Sequence, residues 1–434
     1  MSVIKANGSR RDARVQRSEG KYDIIVVGGG AAGMMASATA AQNGARVLLA
    51  ERNDAPGQKL SISGKGRCNL TNNCSVLDVV ENVLSGGRFL QSALYGLTPG
   101  DTMRFFESIG VNLVTERGGR VFPASGKASD VVLALRGYLE ESGVAVKRAR
   151  VYGLDVEKGR ISGARTDGEA FKCAAAVLST GGLSYPGTGS TGDGYDMAKA
   201  LGHTITPVSG SLAPIVARCE DCGKMQGLTL KNVRLSLYDG GSKPIFSDFG
   251  ELLFTHYGVS GPLGLSASAH IRGESGKKAY IILDLKPALD EKTLDARVLR
   301  DFTKYSNRDF QNALVDLLPK SMIPVLVERS SISAETKVNV VNREQRLRLV
   351  REMKNFRIDV KGLRPIDEAI VTAGGVALSE INPRTMESKI VEGLYFAGEI
   401  IDADAYTGGY NLQIAWSTAF AAGRAAAERI RAWK

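Results

Sequence analysis

Residues 22–51 limit what this chain can fold into more than any other stretch. Tyr22 to Val27 is a short apolar run rich in β-formers, as a buried parallel strand requires. Gly28-Gly29-Gly30-Ala31-Ala32-Gly33 follows it, Ala-rich residues 31–42 read as a helix, and Gly44 marks its stop. Arg46 to Ala50 predicts a second strand, which ends at Glu51. Strand, glycine turn, helix, strand and acid within about 30 residues is the full context of a dinucleotide fingerprint. Gly28 permits the tight turn, Gly30 lets backbone approach a pyrophosphate, and Gly33 lets the helix lie close on the strand. The helix start at Ala31 and Ala32 offers free N–H groups and a positive dipole end to phosphates. Glu51 can accept ribose hydroxyls, with Arg52 beside it. The run from Ile24 to Ala41 is uncharged and about as long as a membrane-spanning helix, but the three glycines inside it favour strand, turn and helix.

This motif alone does not choose between FAD and a nicotinamide dinucleotide; two distant segments do. Residues 58–72 are polar, basic and punctuated by glycines. Lys59, Lys65 and Arg67 could meet the pyrophosphate, and Gly66 could let backbone pass along an extended cofactor; an ordinary surface loop is the alternative. Near the other end, Leu394 to Ala397 predicts a buried strand running into Gly398-Glu399. That places a carboxylate at the ligand-binding end of a parallel sheet, suited to a ribityl hydroxyl. Thr407-Gly408-Gly409-Tyr410-Asn411-Leu412 opens an Ala-rich helix whose N-terminus suits the negative pyrimidine side of a reduced flavin. A nicotinamide enzyme has no need of a second remote glycine-acid unit, so the cofactor expected is FAD.

Between these ends, Arg150 to Cys173 alternates β-type runs with turns at Glu157-Lys158-Gly159 and Thr166-Asp167-Gly168, a β-meander. It returns through Ala175–Ser179 into Thr180-Gly181-Gly182. A second G-x-G-x-x-G at 187–192 lacks a directly preceding strand and a trailing acid, and reads as a helix start bordering the flavin rather than a second nucleotide fold. Short β-type runs from 204 to 288 suggest a barrel, and 290–355 switch to helical periodicity. The order predicts an α/β fold: a discontinuous Rossmann-like FAD-binding domain (21–204 and 376–434), an inserted β-barrel domain (205–289 and 356–375) and a small helical domain (290–355). Residues 1–20 read as a disordered basic tail.

Several segments together resemble one family. They are GGGAAG with Glu51, SGKGRCNLTN at 63–72, Arg120–Pro123 with Ser125 and Lys127-Ala128, and TGGLSYPGTGSTGDGY at 180–195. LLFTHYGVSGP at 252–262, TMESK, GLYFAGE and TGGYNLQ complete the set. From about residue 22 to 427 the chain is similar to the BaiN-like, or aminoacetone-oxidase-like, flavoproteins. The resemblance implies bound FAD, NADH or NADPH as reductant, and a cofactor site that includes Cys68, Asn69, Val151, Gly181 and Gly182. It also implies either reduction of C=C bonds in 3-oxo-4,6-diene bile acids or oxidation of aminoacetone. Lys65 stands where many members have glycine, so no cofactor contact is assigned to it, and Asp402-Ala403-Asp404-Ala405 replaces a pattern close to DVDG.

The formal charge is +10, and the first 21 residues, with six basic and two acidic side chains, carry much of it. Spread over the rest, it suits anionic small ligands and is a weak footprint for nucleic acid. Five cysteines imply no disulfide framework, and with no apolar signal-peptide core the expected location is cytoplasmic. Cys219-Glu220-Asp221-Cys222 could be a flavin-linked redox pair, half a zinc site or two reduced loop thiols; no metal is expected. Candidate proton donors are His256, Tyr406 and Tyr410, with a structural role equally open for His256. The expected reaction is NAD(P)H-driven hydride transfer through flavin N5 to an electron-poor small molecule such as an enone. An O2-using amine oxidase is the runner-up, and a flavin-dependent nucleic-acid-binding protein the third reading.

Overall fold

Ile24–Val27 pairs in parallel with Val47–Glu51 on one side and Ala175–Leu178 on the other. Leu394–Phe396 and Ala145–Arg148 complete a five-stranded parallel sheet with Ile24–Val27 at its centre. The computed structural model describes residues 22–271 and 278–433; the tail expected at 1–20 lies outside the described residues. The central strands are buried on both faces, which is why their sequences are continuous apolar runs rather than alternating ones. Ala31–Gln42 packs on this sheet and against the C-terminal helix, Tyr410–Trp433. Alanine and glycine on the facing surfaces let the two helices meet closely: a Cβ on Gly423 would stand 2.4 Å from the Ala36 carbonyl oxygen. The C-terminal helix is anchored by Trp416, whose indole N–H donates to the Leu70 carbonyl at 2.9 Å.

The meander forms as expected from Val151–Glu157, Arg160–Thr166 and Ala170–Lys172, all antiparallel. Six strands then close a barrel: Ile215–Ala217, Gly258–Ser260, Phe246–Thr255, Thr229–Tyr238, Tyr280–Asp284 and Phe356–Leu363. Alternate residues such as Leu235, Leu237, Leu252 and Phe254 fill its interior. Helices Glu291–Lys304, Ile323–Ser330 and Arg343–Lys354 share one apolar core with the barrel, through Val298, Leu326 and Leu349. The chain crosses between sheet and barrel on two antiparallel segments, Ser209–Ser211 and Val371–Ala373. One local expectation changes. Residues 58–66 are a helix, not a glycine-punctuated loop; it starts after left-handed Gly57 and kinks at Ser63, Gly64 and Lys65. No helix among the described residues is long and apolar enough to cross a membrane.

Candidate active site

A cavity of about 830 Å3 runs along the C-terminal edge of the parallel sheet and on to the barrel. Its floor is the glycine turn. Gly28 has φ +95°, and a Cβ there would stand 2.8 Å from the Ser179 carbonyl oxygen. A Cβ on Gly33 would lie 1.8 Å from the Gly28 carbonyl oxygen, so the helix rests on the strand at backbone distance. Gly30 is different: a Cβ there would meet nothing within 4 Å, and the residue lines the cavity. Among the described residues, no protein acceptor takes the N–H groups of Gly30, Ala31 or Ala32, and no side chain caps this helix. Free N–H donors and the positive helix end make this an anion site.

Glu51 closes one end. It is buried, and its two oxygens accept the Gly29 N–H at 2.6 Å and the Asn53 N–H at 2.8 Å, leaving lone pairs for ribose hydroxyls. Arg52 and Val151 line the same end. The Arg52 guanidinium bonds the Thr191 hydroxyl at 2.5 Å and Asp193 at 3.3 Å, so the second glycine motif forms a wall and not a second nucleotide fold. Farther along, Lys59 and Glu399 are ion-paired at 2.6 Å, where the sequence assigned them separately to pyrophosphate and ribityl chain. Glu399 also accepts the Ser184 hydroxyl at 2.9 Å and the Thr372 N–H at 2.8 Å. Burial works against its charge, but Lys59 and these two donors hold its carboxyl below the usual range.

The far end is set by the start of the C-terminal helix. Gly409 has φ +100°, and a Cβ on it would stand 2.3 Å from the Thr71 carbonyl oxygen, so only glycine fits. The Asn411 side chain clamps the preceding loop by bonding Ala405 N–H at 2.9 Å and the Ala405 carbonyl at 2.7 Å. Among the described residues, the N–H groups of Tyr410, Asn411 and Leu412 meet no protein acceptor. Asn69 Oδ1 and Thr180 Oγ1, both on cavity-lining residues, are buried without a partner. A flavin dinucleotide suits this set: diol acceptor at Glu51, two N–H-rich helix starts, unpaired amide and hydroxyl groups between them, and Gly181 and Gly398 lining the same path.

Over this end the barrel and crossing segments contribute Leu212, Leu253, Pro262, Leu265, Ile370 and Val371, an apolar wall of which only Leu253 and Pro262 fall in a sequence motif. Tyr406 sits among them, its hydroxyl 2.7 Å from His270 Nε2. Burial, reinforced by Asp248 and Asp404, pushes the Tyr406 phenol up, so it stays protonated at neutral pH. At the rim, Arg67 lies 4.2 Å over the Phe122 ring and Arg120 5.9 Å from it, while Glu116 pairs with both at 2.5 and 3.7 Å.

Besides Gly33, which lies beneath the turn, five expected site residues fall outside the lining. His256 is exposed in a barrel turn, its ring edge-on to Tyr257 and outside the cavity lining. Tyr410 lies beside Cys74 and Asp78 instead of in the cavity. Cys68 is fully buried, its thiol pushed up to about 12 by burial, while Gly66 is exposed at the end of the kinked helix and Gly182 is buried against Thr372. Cys219 and Cys222 do not line the cavity, and among the described residues no group of three or more His, Cys, Asp or Glu could hold a metal ion.

Residues 22–425 match the HI0933-like protein Rossmann domain family. The chain is 32% identical to the 3-dehydro-bile acid delta(4,6)-reductase of Clostridium scindens, over 94% of this chain and 99% of that protein. It is also 32% identical to the ribosomal RNA dihydrouridine synthase of Escherichia coli, over 92% of this chain and 97% of that protein. Among solved structures, a 3-ketosteroid delta1-dehydrogenase from Sterolibacterium denitrificans shares the fold, with TM-score 0.51, 15% identity, and 96% and 100% coverage. With its glycine turn, acid and N–H-rich helix starts on one continuous cavity, the chain belongs to the HI0933-like Rossmann family of flavoprotein oxidoreductases.

Proposed function

We propose that this chain binds FAD and reduces a C=C bond conjugated to a carbonyl, with NADH or NADPH as electron source. The observation that carries this is Tyr406, a protonated phenol paired to His270 in an otherwise apolar wall at the flavin end of the cavity. Bound FAD supplies a two-electron carrier that accepts a hydride and passes it on. The protein must do the rest. The N–H groups of Gly30 to Ala32 hold phosphate charge, and Glu51 holds the adenosine ribose. The helix start at Tyr410–Leu412 would offer partial positive charge to the bound flavin. Leu212, Leu253, Leu265 and Val371 exclude water, and Tyr406 donates a proton to the α-carbon of the conjugated system, with His270 orienting the hydroxyl.

The two relatives above are named for reductions of this kind, as a 3-dehydro-bile acid delta(4,6)-reductase and a ribosomal RNA dihydrouridine synthase. The apolar wall favours a small hydrophobic enone. A second reading, a uridine in RNA, is favoured by Arg67 and Arg120 at the Phe122 ring on the rim, where a phosphate backbone would be welcome. Anaerobic titration with NADH and NADPH, then a panel of 3-oxo-4-ene steroids, a uridine oligonucleotide and aminoacetone, tests these readings. Bleaching by a nicotinamide and recolouring by an enone or uridine supports the proposal. Peroxide release from aminoacetone without nicotinamide would replace it with amine oxidation.

A further inference from the structure

Cys219 and Cys222 have no part in the chemistry above, yet they are built into a definite arrangement. The segment leaves the barrel strand Ile215–Ala217 and forms one helical turn, Asp221–Lys224, packed on strands Phe246–Thr255 and Gly258–Ser260. Cys222 belongs to the apolar core of the barrel and is fully buried, whereas Cys219 sits half-buried at its edge. Ion pairs fasten the turn to helix Ile323–Ser330: Arg329 meets Asp221 at 2.6 Å, and Lys224 meets Glu328 at 2.7 Å. The Arg329 guanidinium also stacks 3.8 Å over Phe356 of the barrel. The two cysteines stand three residues apart and pack in the same apolar cluster.

We propose that Cys219 and Cys222 form a thiol–disulfide exchange site for low-molecular-weight disulfides such as oxidised glutathione, with Cys219 attacking and Cys222 resolving. The site is separate from the flavin cavity and independent of the reaction proposed there. The Cys219 thiolate attacks one sulfur of the disulfide, breaking its S–S bond and releasing one thiolate, which takes a proton. Cys222 then loses its proton to solvent and attacks the Cys219 sulfur, releasing the second thiolate. The protein pair, a thiolate and a thiol, gives up two electrons and one proton and becomes a disulfide; the small disulfide gains the electrons and, with a second proton from solvent, becomes two thiols.

Exposure assigns the roles: Cys219 is half-buried and reachable, whereas Cys222 lies fully buried behind it. The neighbouring Cys222 thiol, with the Asp221 N–H and Arg329, outweighs burial and the Asp221 carboxylate, and holds Cys219 at about 6. The neighbouring Cys219, with burial, pushes Cys222 up. At neutral pH Cys219 is therefore the thiolate, and it is the accessible one. The remaining cysteines compete poorly: burial pushes Cys68 and Cys173 up to about 12, and Cys74 to about 11.

The test equilibrates the full chain in glutathione redox buffers, quenches with acid, alkylates, and reads intact mass and peptides. Wild type is expected to lose two alkylatable thiols in one step, both in the 219–222 peptide, and to keep no glutathione. Cys222→Ala should trap one glutathione on Cys219, and Cys219→Ser should leave Cys222 unmodified; circular dichroism and flavin content check that both variants fold. Iodoacetamide should label wild-type Cys219 with a midpoint near pH 6, and the midpoint should rise in Cys222→Ala. Glutathione retained on wild-type Cys219, or Cys219 labelling no faster than Cys74 at pH 6.5, would overturn the assignment.

Discussion

The Lys59 ammonium lies 2.6 Å from the Glu399 carboxylate, across 340 residues of sequence. The pair joins the helix that follows the first βαβ unit to the end of the last strand of the sheet, at the middle of the flavin cavity. With Ser184 and Thr372 also bonded to Glu399, three chain segments converge on one carboxylate. Neither side chain is more than a quarter exposed, so solvent screens the pair only in part.

Breaking this pair from either side should cost more than removing it whole. Glu399→Gln leaves a cation in a confined site, and Lys59→Met leaves a carboxylate there, each at about 1–3 kcal/mol. The double variant removes both charges, so urea unfolding of all four proteins should show a coupling of about 1–2 kcal/mol. Strictly additive single effects would mean that the contact carries no stability.

Gly30 and Gly33 should separate cofactor binding from folding. An alanine Cβ at Gly30 projects into open space that the cofactor path crosses, so Gly30→Ala should keep the melting temperature of the apoprotein while weakening FAD binding at least about tenfold. Gly33→Ala drives a methyl into the Gly28 carbonyl, and overpacking of that kind costs about 1–3 kcal/mol or more. Thermal melts and flavin fluorescence check both. Equal flavin affinity in Gly30→Ala and wild type would remove the turn from the binding site.

Tyr406→Phe removes the proposed proton donor and keeps the ring. Reduction of the enzyme by nicotinamide should be unchanged, while its reoxidation by a conjugated ketone should slow by about 10²–10⁴-fold, the usual range for general acid catalysis. His270→Gln should slow the same step less and shift its pH profile, because it acts through Tyr406. Stopped-flow absorbance of each half-reaction separates the two. A full rate in Tyr406→Phe would return the proton to solvent.

Much of this was legible because backbone constraints write themselves into local sequence. Gly28, Gly33 and Gly409 are forced by φ angles and Cβ clashes, and Glu51 by its place at a strand end. What was not legible depends on long-range packing. Lys59 and Glu399 each stand out in the sequence, but nothing local says that two residues so far apart are ion-paired. Helix Gln58–Gly66 was hidden by its own glycines, since the kink at Ser63–Lys65 looks like loop composition. His256 stands out through its Thr-His-Tyr-Gly setting, while His270, in a plain Ala-Ser-Ala-His run, is the one that reaches Tyr406. The apolar wall came from scattered leucines whose shared face exists only once the barrel closes.

His203 gives the sheet a pH dependence of predictable sign. Its side chain is fully buried, edge-on to Phe396 of the sheet, with Glu380 at 3.1 Å from Nδ1 and the Ser388 hydroxyl at 2.9 Å from Nε2. Burial lowers its affinity for a proton more than Glu380 raises it, so the folded value lies below the ordinary one. The unfolded chain, near about 6.5, then binds the proton more readily than the folded one, and stability must fall as pH drops below that value. The Glu380 carboxyl is held low by Thr204 and His203 despite its own desolvation, so its loss belongs to more acidic conditions, below its usual range. Urea midpoints measured from pH 7.5 to 5.5 should therefore decline in wild type and stay flatter in His203→Gln. Parallel slopes in the two proteins would assign the decline to other groups.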